Sequence, residues 1–415
     1  MTKDTQTADA QPVNEREQKA LEIAAKSKLT RKGDRWIVPS QAGPKKYTVD
    51  PDPESPRCTC PDFEYRQARC KHIFAVEYVI QREQTSDGQT IVTESVRVTH
   101  KTYTQDWPAY NKAQANERSH FLAFLYELCS GIEEPVQTFG RPRLPLSDII
   151  FSATFRTYST VSGRRFVSEL REALAKGYLS KMPSYNSIFD YLKMESLTSY
   201  LKYLIAESAS PLKSIETAFA VDSSGFSTTR FQRWFDVKYG NNEDWHEWIK
   251  MHITCGVTTH IVTSVELSNA RMHDSPYFKP LIESTAKAGF NMQEVSADKG
   301  YISANNLQTV VDHGATPYIP FKTNTTGKSG TELWKRLFHY YSFNRAEFLT
   351  HYHKRSNVET TFSMIKSKFG ERLRCKTETA QINEALCKVL CHNLCVVIQS
   401  MYELGVEPQF RVEAA

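Results

Sequence analysis

The stretch HYHKRSNVETTFSMIKSKFG, residues 351–370, decides how this chain is read. At about 3.6 residues per helical turn, Tyr352, Arg355, Glu359 and Lys366 fall within a stripe roughly 60° wide. Val358, Phe362, Ile365 and Phe369 recur at helical spacing and form a second, apolar stripe beside the first. A helix that is only a solvated surface sets its charges opposite its apolar face. Here a carboxylate, two cations and a phenol line the edge of the buried face, as in a helix bordering a cleft for an anionic ligand. The alternative at this point is an exposed face with ordinary Arg–Glu pairing.

The rest of the chain narrows that choice. With 415 residues, 40% hydrophobic and 24% charged, it is long enough for two or three domains. No run approaches the ~18 apolar residues of a membrane span. The first residues, MTKDTQTADAQPVNEREQK, are too polar for a secretory signal, so a protein of the reducing cytoplasm is expected. Nine cysteines, three of them clustered at Cys58, Cys60 and Cys70 beside His72, suggest a metal rather than a disulfide framework. The net charge is only +5, but it is unevenly spread. Residues 135–204 hold ten Lys/Arg against five Asp/Glu, and residues 352–376 hold seven against two, a distribution suited to nucleic acid.

Along the chain, residues 1–30 are expected to form a polar tail and a short helix. RWIVPSQ and KYTVDP suit a hairpin around Ala42, Gly43 and Pro44, within a small module over 31–82. Residues 83–106 suit a linker. A helical region over 107–204 contains a Pro-rich joint and three segments, DIIFSATFRTYS, RRFVSELREALAKGYL and SYNSIFDYLKM, with Ser147 as a cap for the first. Such a basic unit could be a DNA binder or a structural subdomain. Arg164 and Arg165 open its second segment, where they could meet phosphates.

From 215 to 400 the pattern changes to three strands, helix, strand, helix, strand and closing helices, before a tail over 401–415. TAFAVDSS ends its apolar run at Asp222, and MQEVSADKGYIS ends its strand at Asp298. Asp274 precedes a helix over SPYFKPLIESTAKAG and is expected to cap it, beside His273. This order matches an α/β, ribonuclease-H-like mixed sheet. Asp222, Asp298 and Glu359, from separate elements, could together hold two magnesium or manganese ions.

The Tyr–x2–Arg–x3–Glu–x6–Lys spacing of Tyr352, Arg355, Glu359 and Lys366 resembles the signature of DDE transposases from bacterial insertion sequences. AVDSSGFS and SADKGYIS resemble the two regions that carry that family's aspartates. The resemblance covers roughly residues 140–400. It implies that Asp222, Asp298 and Glu359 bind the catalytic metals, and that Tyr352, Arg355 and Lys366 position phosphates at the DNA ends. It also implies double-stranded DNA as partner, at element ends and target, a homodimer on paired ends, and no small-molecule substrate. In some relatives a β-rich insertion carries an aromatic that stacks a flipped base. Here the interval 321–350 is short and helical, so Trp334 is expected in the core or at the surface.

Cys58-x-Cys60-x9-Cys70-x-His72 supplies three thiolates and an imidazole, a closed set suited to structural zinc, and it resembles the SWIM zinc finger. Cys387, Cys391 and Cys395, four apart beside His392, are expected to face the core as small hydrophobes. The alternatives are a nuclease or resolvase on the same fold, a DNA-binding regulator that no longer cuts, and a SWIM-type adaptor for protein.

Overall fold

The computed structural model describes residues 15–41, 45–52, 55–66, 68–84, 106–140, 142–228, 248–322, 325 and 330–410. Most of the expected linker, the loop at residues 42–44, residues 1–14 and residues 411–415 lie outside the described residues. The chain divides into two compact units, Met1–Thr102 and Tyr103–Ala415.

The first unit holds α1 (Glu15–Lys26), β1 (Thr30–Lys32), β2 (Arg35–Pro39), β3 (Lys46–Asp50), β4 (Arg57–Cys58), α2 (Pro61–Arg66) and α3 (Lys71–Gln84). The two expected strands are the middle pair of an antiparallel sheet ordered β1-β2-β3-β4. Gly33, at φ 61°, supplies the positive φ that the two-residue β1–β2 turn requires. Trp36, Val38 and Val49 from the sheet bury against Ala20, Ile23, Ile73 and Val76 from the helices.

The second unit opens with α4 (Trp107–Ser130), where Asp106 accepts from the Ala109 N–H at 3.0 Å and Pro108 sits in the first turn. It continues with α5 (Leu146–Ser159), α6 (Gly163–Ala175), α7 (Tyr185–Leu192) and α8 (Ser196–Ser208). Ser147 does not cap α5 as expected, because it lies inside the helix. Glu134 caps it instead, accepting from the Leu146 and Ser147 N–H groups at 2.7 and 3.0 Å and from the Ser147 hydroxyl at 2.8 Å. A carboxylate from the Pro-rich joint outcompetes a serine because it takes all three donors at once.

Then follow β5 (Ala218–Ser227), β6 (Trp248–Gly256), β7 (Val262–Asn269), α9 (Ser275–Lys287), β8 (Glu294–Ala297), α10 (Ala304–Asp312) and β9 (Thr316–Tyr318). The helices α11 (Glu332–Phe343), α12 (Arg345–Tyr352), α13 (Ser356–Phe369) and α14 (Glu378–Glu403) close the unit. The five strands form a mixed sheet ordered β7-β6-β5-β8-β9, with β5, β6 and β7 antiparallel and β8 and β9 parallel to β5. The mixed sheet and the sequence of elements along the chain, three strands, helix, strand, helix, strand and closing helices, are those expected of a ribonuclease-H-like fold. β5 is the central strand, and α14, with Ala385, Leu386, Val389, Leu390, Leu394 and Val397 buried, fills the core.

α14 is long and apolar enough to cross a membrane, contrary to the sequence reading, but 78% of its apolar window is buried inside the protein. It also carries buried charge. Lys388 donates to the carbonyls of Gly370 and Arg372 at 2.5 and 2.8 Å. One turn away, Glu384 accepts from the N–H groups of Arg374 and Cys375 at 2.8 and 2.7 Å. Together they fasten the segment that follows α13, satisfying four backbone groups that the sheet does not reach. Cys387 and Cys391 are buried as expected, exchanging hydrogen bonds with Thr154, while His392 meets the carbonyl of His260 at 2.9 Å.

Candidate active site

Asp222 was expected at the end of its strand, but β5 runs on to Ser227. What ends near Asp222 is its neighbour. The last β5–β8 pair is Val221 with Ala297, so beyond it β5 pairs with β6 alone until Ser227, which bridges Arg372. Asp222 and Asp298 therefore stand side by side where the sheet opens. Asp298 begins a 3-10 turn over Lys299–Tyr301 and accepts from the Gly300 N–H at 3.4 Å.

The 351–370 stretch is not one helix. α12 ends at Tyr352, a 3-10 turn spans His353–Arg355, and α13 starts at Ser356. The apolar stripe of Val358, Phe362, Ile365 and Phe369 is buried as expected. Glu216 lies in the core, and His260, held at φ 67°, presents Nδ1 3.2 Å from both the Asn357 carbonyl and the Thr361 hydroxyl. At the other end, Lys368 donates to Glu117 at 2.5 Å and the Tyr158 hydroxyl donates to the same carboxylate at 2.8 Å. α13 is thus held at both ends while its middle borders the cleft.

That cleft is lined by Asp222, Ser223, Ser224, Glu359, Phe362, Ser363, Lys366 and Ser367. Arg355 bridges two of its carboxylates, donating from Nη1 to Asp222 Oδ2 at 2.6 Å and from Nη2 to Glu359 Oε1 at 2.5 Å. Burial pushes the Asp222 carboxyl up, and the nearby charges of Asp298 and Glu359 push it the same way. The Ser223 N–H, at 2.8 Å, and the Arg355 guanidinium oppose that rise without cancelling it. Burial works against the charge on Arg355, yet Glu359 and Asp222 hold it, and its pKa is raised. Tyr352 lies beside Arg355, within the field of Asp298 and Asp222. Lys366 sits 5.4 Å above the Phe226 ring and 3.2 Å from Glu371.

The structure thus brings Asp222, Asp298, Glu359, Tyr352 and Arg355 together where β8 ends beside the central strand β5, with Lys366 on the cleft wall. Carboxylate oxygens are donors of the kind that hard divalent cations such as magnesium or manganese take, and Arg355 here occupies two of the three carboxylates. Arg164 and Arg165 are elsewhere, exposed on the first turn of α6. They line an open groove with Ser168, Arg171 and Tyr185. Arg171 was missed by the sequence reading, although it lies two turns from Arg164. Arg374, just beyond α13, donates to the Thr160 and Val161 carbonyls at 2.5 and 3.3 Å, tying the turn before α6 to the segment after α13. Trp334 packs edge-on against Phe321 with ring centroids 4.9 Å apart, a core contact.

In the first unit, β4 delivers Cys58, α3 delivers His72, and Cys60 and Cys70 stand at the helix starts. The four ligand atoms lie within 4.8 Å of one another, and all four residues are buried. His72 Nδ1 is 4.0 Å from Cys58 Sγ and 3.9 Å from Cys70 Sγ. A hydrogen bond from Cys58 lowers the Cys70 thiol to about 4, against burial and with help from His72, and the same bond raises Cys58. Among the described residues this is the one set of metal-ligating side chains so close together, and three sulfurs with one imidazole fit zinc.

Residues 213–394 match the model of a family described as the transposase DDE domain. Residues 47–81 match the model described as the SWIM zinc finger. No curated protein and no solved structure matches the chain.

Proposed function

We propose that this chain, which carries a transposase DDE domain and a SWIM zinc finger, is the transposase of an insertion sequence. It binds the terminal inverted repeats of its element and hydrolyses one phosphodiester at each end, leaving a 3′-hydroxyl. That hydroxyl then attacks a phosphodiester of target DNA, forming one bond as another breaks. What supports the reading is Asp222 on β5 beside Asp298, which follows the end of β8, with Arg355 joining Asp222 to Glu359 on α13 and Lys366 on the same cleft wall.

Asp222, Asp298 and Glu359 would hold magnesium or manganese. Such ions, when bound, activate the attacking oxygen and stabilise the leaving one. Around them the chain's own residues bind and orient DNA. The Arg355 guanidinium, held by the Asp222 and Glu359 carboxylates and by the Tyr352 hydroxyl, would present its charge to a phosphate. Lys366, on the cleft wall, and Tyr352, beside Arg355, complete the phosphate contacts. In this reading residues 215–400 are the catalytic domain, 107–204 bind DNA, and 31–82 are the zinc module. Two protomers act on paired ends, in the cytoplasm with the nucleoid.

The test is a labelled duplex carrying the element's own terminal sequence and flank, incubated with purified protein. A nick leaving a 3′-hydroxyl at the element boundary, present with magnesium or manganese and absent with a chelator, is the expected result. Tight binding without cleavage under any metal would instead mark a regulator that no longer cuts. Within the α6 groove, Arg164→Ala combined with Arg165→Ala should weaken DNA binding. It should also reduce the slope of log affinity against log salt by about 2, one for each lost phosphate contact. An unchanged slope in a filter-binding titration would remove both arginines from the interface.

A further inference from the structure

The cleft of the candidate active site runs between β5 and α13, and contacts bound it at both ends. At one end Arg355 joins Asp222 to Glu359. At the other, Lys366 lies over the Phe226 ring and pairs with Glu371 at 3.2 Å. Side chains alternate along a strand, so Asp222, Ser224 and Phe226 share one face of β5. Ser223 belongs to the other face. Its hydroxyl donates at 3.0 Å to Asp274, a carboxylate that also pairs with Lys250 and makes no capping hydrogen bond to α9. On α13, Glu359, Ser363 and Lys366 follow one another at helical spacing, and Ser367 lies one turn beyond Ser363.

Between those ends the cleft is lined by hydroxyls. Ser224 stands on one wall, and Ser363 and Ser367 stand on the other. None of the three hydroxyls makes a hydrogen bond among the described residues. A serine inside a helix can turn its hydroxyl back to a carbonyl three or four residues earlier. The first half of α13 does this. Ser356 donates to the His353 carbonyl at 2.9 Å, Thr360 to that of Ser356 at 3.4 Å and Thr361 to that of Asn357 at 2.9 Å. Ser363 and Ser367 do not, and both are exposed. Hydroxyl donors without an acceptor, beside one ammonium, suit the oxygens of a phosphodiester.

We propose that Ser224, Ser363 and Ser367 form a further phosphate-binding subsite, which holds the DNA backbone one nucleotide from the bond that is cut. The inference rests on the reading of Asp222, Asp298 and Glu359 as the cutting site. Ser224 lies two residues along β5 from Asp222, about 7 Å, and Ser363 lies one turn along α13 from Glu359, about 6 Å. Both walls therefore carry their hydroxyls one step away from the carboxylates, and in the same direction, toward Phe226 and Lys366. A phosphodiester held at the carboxylates would lay its neighbour in the same strand against the serines. Contacts of this kind fix the register of a protein on DNA. The subsite would thus decide which bond enters the cutting site.

The experiment uses full-length, zinc-loaded protein and the labelled terminal duplex, with a neutral methylphosphonate replacing one phosphate at a time around the element boundary. Binding is measured without added magnesium or manganese. The wild type should bind about tenfold more weakly when the phosphate next to the scissile one is neutralised. Ser224→Ala combined with Ser363→Ala should weaken binding to the unmodified duplex by about tenfold or more. Neutralising the same phosphate should then cost the double variant little further, the non-additivity expected of groups in contact. A serine with a merely structural role would not give it. Ser363→Ala alone, at an exposed position where alanine is the better helix former, should show the same pattern and keeps the test open if the double variant does not fold. Serine variants that bind the unmodified duplex like the wild type would overturn the proposal. So would a wild type indifferent to that phosphate, or a double variant that still loses the full tenfold there. A wild type that fails to cut at the boundary once magnesium or manganese is added would overturn the transposase reading itself, and this inference with it.

Discussion

Stripping zinc from the protein should unfold the N-terminal unit while leaving the second unit intact. The apolar core of the first unit is small, built from Trp36, Val38, Val49, Ile73, Val76 and a few residues of α1. A core of that size supplies only a few kcal/mol. A structural zinc at three thiolates and an imidazole contributes on the order of 10 kcal/mol or more, and in such modules binding and folding are the same event. Cys58, Cys60, Cys70 and His72 link β4, the α2 start and the α3 start, so they tie the sheet to the helices. Hydrogen exchange read by mass spectrometry checks this. Adding a strong chelator, or introducing Cys70→Ser, should remove protection across residues 31–82, with peptides of the five-stranded sheet unchanged. Protection that survives the loss of metal would show that the apolar core holds the unit by itself.

The second large effect is expected on chemistry. Asp222→Asn, Asp298→Asn and Glu359→Gln should each reduce the rate of nicking at the element boundary by at least about a thousandfold. That is roughly 4 kcal/mol of transition-state stabilisation. These changes conserve shape and remove a negative charge from a site where burial first, and then the charges of Asp298 and Glu359, push the Asp222 carboxyl up. DNA affinity should therefore hold or rise, because a carboxylate that repels the phosphate backbone has been neutralised. Single-turnover cleavage beside equilibrium binding separates the two effects. A variant that loses binding and cleavage in parallel would indicate a folding defect, and one that cleaves at the wild-type rate would lose its place in the triad.

Some of this was legible from the residues because it is governed by short range. The zinc ligands sit within one short segment, so spacing and side-chain chemistry were enough to pick them out. The buried stripe of α13 was readable because helical periodicity is a local property, and Val358, Phe362, Ile365 and Phe369 are buried as that periodicity requires. The order of strands followed from where apolar runs alternate with amphipathic ones. Even the 3-10 turn at His353–Arg355, which breaks the stretch into two helices, left Arg355 and Glu359 one turn apart, facing the same cleft.

What the sequence by itself determined, then, was the set of elements and the residue types each would present: a cysteine–histidine cluster, a strand carrying Asp222, and a helix with a polar edge beside an apolar face. Only the tertiary structure decided which polar side chain meets which. Ser147 and Asp274 both stood where local preference makes a helix cap, and neither acts as one. Glu134 took the first cap by offering two oxygens to three donors. Lys250, His252 and Ser223, brought together by the pairing of β5 with β6, turned the Asp274 carboxylate away from its own helix. A capping hydrogen bond contributes about 1 kcal/mol, and a lysine ammonium and a serine hydroxyl converging from neighbouring strands contribute more. The direction of such a carboxylate is settled by partners distant in sequence, which no local pattern encodes.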